Sequence, residues 1–101
     1  MSVDLQDRVY IITGGSRGFG LAIAKNLVEQ GARVGLLGRN PAGLEQAVAD
    51  IGADHAFGAV ADVGSRSSIQ AAFEEIKTRF HRLDGLVNNA GLAMPNTVEK
   101  L

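Results

Sequence analysis

Thr13-Gly14-Gly15-Ser16-Arg17-Gly18-Phe19-Gly20 is the stretch that decides the fold. It follows the largely apolar, β-branched run Arg8 to Ile12 and leads into Phe19 to Val28, whose apolar residues have helical spacing. Glycines at such a strand-to-helix joint let the backbone turn tightly and pass close to a charged ligand with no Cβ in between. The helix behind them turns its unpaired N–H groups and positive dipole end to the same place, which favours a pyrophosphate. The segment predicts a cradle for nucleotide phosphate.

Outward from it, two kinds of segment alternate. Val9 to Thr13 reads as a buried strand. Ile23, Ala24, Leu27, Val28 and Gly31 recur at helical spacing, with Gly31 suited to the C-cap. Val34 to Leu37 is a second apolar strand. Asn40-Pro41 opens a helix, Asn as N-cap and Pro at the first helical position. Its stripe is Leu44, Ala47, Val48 and Ile51, and Gly52 ends it. Ala56 to Ala61 is a third, weaker strand, followed by the turn Asp62-Val63-Gly64. Ser67 with Gln70 resembles a capping box, with Ser65 an alternative cap, ahead of the stripe Ile69, Ala72, Phe73, Ile76 and Phe80. Gly85 to Val87 begins a fourth strand running into Asn88-Asn89-Ala90-Gly91, and 92–101 carries no assignable pattern. The order β-α-β-α-β-α-β with short connections implies an α/β fold: a parallel sheet, helices on both faces, right-handed crossovers.

Bulk properties exclude several classes. The chain has 101 residues, 46% of them hydrophobic, which fits one globular domain or part of one. A net charge of -1 and a pI near 6.1 give no electrostatic case for nucleic acid or an anionic membrane. With 0 Cys there is no disulfide, thiolate metal site or cysteine nucleophile. Met1 to Asp7 lacks the basic and apolar regions of a signal peptide, and no apolar run approaches a membrane span. The expectation is a cytoplasmic chain without membrane or nucleic-acid partners. His55 and His81 read as exposed edge residues, and no spacing supports a metal site. Glu74-Glu75 and Lys77 to Arg82 read as the solvated face of the third helix.

A lone glycine loop is a weak signal, and this one departs from the G-x-G-x-x-G spacing. Thr13-Gly14-x-x-x-Gly18-x-Gly20 resembles instead the T-G-x-x-x-G-x-G fingerprint of the short-chain dehydrogenase/reductase family. Three further matches follow in order: Asp62-Val63 after the third strand, the lead-in Leu83-Asp84-Gly85-Leu86-Val87, and Asn88-Asn89-Ala90-Gly91 as the family's N-N-A-G. The resemblance covers essentially the whole chain. It implies a doubly wound parallel sheet (Rossmann fold) of which residues 1–101 form the first half, with strand order 3-2-1-4 and truncation after the fourth strand. It implies a dinucleotide cofactor held by Gly14, Ser16, Arg17, Gly18, Phe19, Gly20, Arg39, Asp62, Val63, Asn89, Ala90 and Gly91. Asp62 and Val63 would lie near the adenine, and Asn89, Ala90 and Gly91 beneath the ribose and nicotinamide. Asp62 has an alternative role in an Asx turn, and Asn88 and Asn89 an architectural one.

The cofactor choice is legible at the second strand. An NAD site of this architecture places an acid about twenty residues after the glycines, for the ribose 2′-OH. Here Gly38-Arg39-Asn40 stands in that place. Arg39 and Arg17 would flank the ribose and suit a 2′-phosphate, so NADP(H) is preferred over NAD(H). The family's catalytic Tyr, the Lys of Y-x-x-x-K, a Ser and an Asn all fall downstream of N-N-A-G. The only Tyr here is Tyr10, followed four positions on by Gly14, so no residue maps onto the catalytic set. Two readings stay open. One is the NADP(H)-binding part of a dehydrogenase or reductase, whose homo-oligomeric full-length parent acts on a small carbonyl/alcohol substrate. The other is a non-catalytic nucleotide-binding or interaction module. The intact cofactor set favours the first. Truncation after the fourth strand would leave Leu86 and Val87 as an unpaired apolar edge, so the fragment is expected to be partly molten, to self-associate or to need a complementing second half, and to bind NADPH weakly if at all.

Overall fold

The computed structural model describes residues 6–14, 18–62, 64–87 and, for the backbone, 98–100. Their elements are β1 (Val9–Thr13), α1 (Gly18–Glu29), β2 (Arg33–Gly38), α2 (Pro41–Ile51), β3 (Ala56–Val60), α3 (Arg66–Phe80), β4 (Gly85–Val87) and β5 (Val98–Lys100). The sheet order is β3-β2-β1-β4-β5, the first four strands parallel. All five residues of β1 are buried, as a central parallel strand covered on both faces requires. Val9 and Ile11 pack with Leu37 and Ala59 beneath Ala72, Ile76 and Phe80 of α3. Ile12 packs on the other face with Val34, Leu36 and Val87 against Ala24 of α1 and Leu44 and Ala47 of α2. The alternation of β1 thus feeds two cores, and the doubly wound arrangement with order 3-2-1-4 is present.

The helix ends follow the side chains that mark them. Asn40 caps α2, its Oδ1 accepting from the amides of Ala42 and Gly43 at 3.0 and 3.3 Å. After α1, the Gly31 amide donates to Val28 O and the Ala32 amide to Leu27 O, closing the helix end. Of the two serines proposed for α3, Ser65 is the cap: its Oγ accepts from the Ser68 amide at 3.3 Å. Ser67 falls inside the first turn, its hydroxyl 3.2 Å from that of Ser65. His81 closes α3 in the left-handed region, φ 65°, and is exposed, as is His55.

One expectation is corrected. The outer side of β4 is not an open edge, because β5 pairs with it antiparallel, Gly85 opposite Lys100, Leu86 opposite Glu99 and Val87 opposite Val98. Free strand N–H and C=O groups recruit any extended segment within reach. A parallel partner would need a crossover of about a dozen residues or more, and only residues 88–97 separate the two strands. A three-residue strand is too short for periodicity to mark. The edge strands of the described sheet are therefore β3 and β5, with β4 inside it.

Candidate cofactor site

Register brings the strand ends to one rim. Thr13 lies opposite Leu37, Ile12 opposite Val87, and Gly38 opposite Val60. The chain therefore leaves the sheet at Gly14, Arg39 and Asp62 along the same edge, where ligands of open α/β sheets bind. Gly14 has φ +66° and its amide donates to Leu37 O at 2.9 Å, tying the start of the loop to β2. Gly18 opens α1 with φ +59°, and a Cβ there would meet none of the described residues within 4 Å. Backbone conformation, not crowding, calls for glycine at that point. Thr13 Oγ1 donates to Val87 O at 3.4 Å and joins the ends of β1 and β4. In the first turn of α1, Gly20 is buried while the ring of Phe19 is 79% exposed.

Arg39 is exposed directly after β2, with no hydrogen bond or ion pair among the described residues. Asn40 follows it as the α2 cap. No amide of the first turn of α2 is left free: Pro41 has none, Ala42 and Gly43 donate to Asn40 Oδ1, and Leu44 donates to Asn40 O at 3.1 Å. Asp62 is exposed at the end of β3 and forms an Asx turn, Oδ1 accepting from the Gly64 amide at 2.9 Å. Its own amide donates to Ser68 Oγ at 2.9 Å. The turn role raised for Asp62 is therefore occupied. Ser16, Arg17, Val63, Asn88, Asn89, Ala90 and Gly91 lie outside the described residues.

Two side chains away from this rim matter to the chemistry. Tyr10 is only 8% exposed within β1 and packs with Ala32 and Leu27, in the scaffold and not on the rim. Asp84, which the sequence marks only as part of the lead-in to β4, stands at the amino ends of β1 and β4. Its Oδ2 accepts from the Val9 amide at 2.8 Å, and the Arg82 guanidinium grips it in a fork, Nε to Oδ2 at 2.9 Å and Nη2 to Oδ1 at 2.7 Å. The Arg82 hydrogen bonds hold its carboxyl below the usual carboxylate range; the Val9 amide helps, and partial burial opposes. An acid just ahead of a short apolar strand is the sequence signal that marks it. No helix among the described residues is long and apolar enough to cross a membrane.

The short chain dehydrogenase family model matches residues 8–101. The 3-oxoacyl-[acyl-carrier-protein] reductase of Bos taurus is 38% identical over 89% of this chain and 38% of its own length. The D-threitol dehydrogenase of Mycolicibacterium smegmatis is 36% identical over 100% of this chain and 41% of its own. Among solved structures, the 3-ketoacyl-(acyl-carrier-protein) reductase of Brucella melitensis, complexed with NADH, superposes with a TM-score of 0.77 at 33% identity, covering 90% of this chain and 41% of that one. The chain spans about two fifths of the length of these relatives. Fold, fingerprint and sequence agree: this chain belongs to the short-chain dehydrogenase family.

Proposed function

We propose that this chain is the NADP(H)-binding part of an oxidoreductase that moves hydride between the cofactor and a small carbonyl/alcohol substrate. A reductase and a dehydrogenase among its relatives support the reaction class, and the NADH carried by the Brucella relative supports a nicotinamide dinucleotide. The rim fits such a ligand. Gly14 and Gly18 turn the backbone without side chains, a Cβ at Gly18 would meet none of the described residues within 4 Å, and α1 directs its positive end there. The bound cofactor supplies the hydride; the residues of this chain grip and orient it. In this reading Gly14, Ser16, Gly18, Phe19 and Gly20 take the pyrophosphate, Arg17 and Arg39 the ribose phosphate, Asp62 and Val63 the adenine, and Asn89, Ala90 and Gly91 the nicotinamide ribose.

Arg39 carries the choice between the two cofactors. A guanidinium, exposed and without an ion-pair partner among the described residues, stands where a carboxylate would accept from a ribose 2′-OH. It suits a phosphate through charge-assisted bonds. The expected result is tighter binding of NADPH than of NADH by calorimetry. Arg39→Asp should weaken NADPH by about 1.5–3 kcal/mol and favour NADH. Tighter NADH in the unmutated chain would overturn the assignment.

A further inference from the structure

We infer that the free edge of β3 is a docking site for an extended, basic and apolar segment of a partner protein, which it takes as an added strand. Among the described residues β3 has β2 on one side and no strand on the other. His55 O accepts from the Val34 amide at 2.8 Å, and Gly38 O from the Ala61 amide at 2.9 Å. In a parallel ladder that phase turns the N–H and C=O of Phe57 and Ala59 toward β2, and those of Gly58 and Val60 outward. Outward groups of this kind are what an added strand bonds.

Side chains of an added strand alternate between the two faces of the sheet, and each face offers a hollow beside this edge. On the α2 face it holds about 500 Å³ along Leu44, Val48 and Gly58, bordered by Val60, which is 55% exposed. On the α3 face about 440 Å³ opens against Phe57 and Thr78. Glu45 lines the first hollow, Glu74 and Glu75 the second, and Arg79 both, three carboxylates to one guanidinium. None of the four has an ion pair among the described residues. This charge selects the occupant. Ile76 packs on Gly35, whose partner in β3 is Phe57, so Glu74 and Glu75 stand near the middle of the strand. Pairing β3 with a copy of itself about a two-fold axis would set these acids against their own copies. Lysines flanking an apolar stretch would meet them instead as opposite charges.

A fluorescein-labelled peptide Lys-Leu-Val-Leu-Lys, titrated with the 101-residue chain and read by anisotropy, tests the site against its acidic counterpart Glu-Leu-Val-Leu-Glu. The basic peptide should bind at least roughly ten-fold more tightly, and added salt should narrow the gap. Val60→Pro removes an outward N–H that β2 does not use, a place where an edge strand tolerates proline. It should weaken the basic peptide roughly ten-fold or more while thermal melting stays unchanged. Glu74→Lys combined with Glu75→Lys reads the same contact from α3 without touching the strand, both side chains being exposed. That variant should lose the basic peptide and gain the acidic one. Equal binding of the two peptides, no binding of the basic one, or binding that neither variant alters would overturn the proposal. So would sedimentation showing the chain alone to self-associate in a manner that Val60→Pro abolishes, since the occupant would then be a second copy.

Discussion

Asp84 joins sheet and charge. Its carboxylate serves an amide on a strand that is otherwise buried and draws Arg82 over itself. Because the folded carboxyl titrates below its unfolded value, ionised Asp84 stabilises the fold above the unfolded pKa of about 4, and that contribution is lost as pH falls through the lowered folded value. Asp84→Asn keeps an oxygen for Val9 and loses the charge, so it should cost about 1 kcal/mol at neutral pH and nothing in strong acid. Asp84→Ala orphans a buried amide and should cost about 2–3 kcal/mol. Chemical denaturation of the three proteins across the acid range checks both; a constant gap between Asp84→Asn and the unmutated protein would refute the role of charge. The sequence marks Arg39 well, since the signal is a local absence of acid after a strand. Asp84 is harder to read, because its partner Val9 lies 75 positions away.

Helix α3 sits on the sheet at one side-chain-free point. A Cβ at Gly35 of β2 would stand 2.5 Å from Ile76 Cδ1, 2.6 Å from Cγ2 and 2.8 Å from Cγ1. Both branches of Ile76 stand in the way, so its side chain, the helix or the strand must shift. Gly35→Ala should destabilise by about 1–3 kcal/mol through overpacking. Combined with Ile76→Ala, which costs stability on its own, the added penalty of Gly35→Ala should vanish in a double-mutant cycle read by denaturant unfolding; additive losses would place the strain elsewhere. Elements with chemical end signals were legible before the structure: Asn40-Pro41 and Gly52 bracket α2. The Ser65/Ser67 ambiguity was not, because the choice depends on the Asx turn at Asp62 and on Ser68 Oγ reaching back to the Asp62 amide. Strand β5 escaped because its formation depends on the unpaired side of β4, a property of the assembled sheet.

At the scale of the molecule, four parallel strands deliver the chain to one rim, at Gly14, Arg39 and Asp62. In the proposed reading that rim holds a dinucleotide; hydride transfer needs more. A proton must be given or taken within hydrogen-bond reach of the reacting oxygen by a group tuned for it. The sequence holds one tyrosine, Tyr10, and the structure buries it in β1 against Ala32 and Leu27. Four positions on stands Gly14, which has no ammonium to lower a phenol's pKa and is committed to the turn. We therefore expect cofactor binding without turnover from the 101-residue chain. Purified chain mixed with NADPH and a panel of small ketones should leave the nicotinamide absorbance at the rate of a protein-free blank, while calorimetry under the same conditions registers NADPH. Tyr10→Phe should change neither result. Stereospecific alcohol formation would refute the expectation, and its loss in Tyr10→Phe would mean that the first strand opens far enough to bring a buried phenol to the rim.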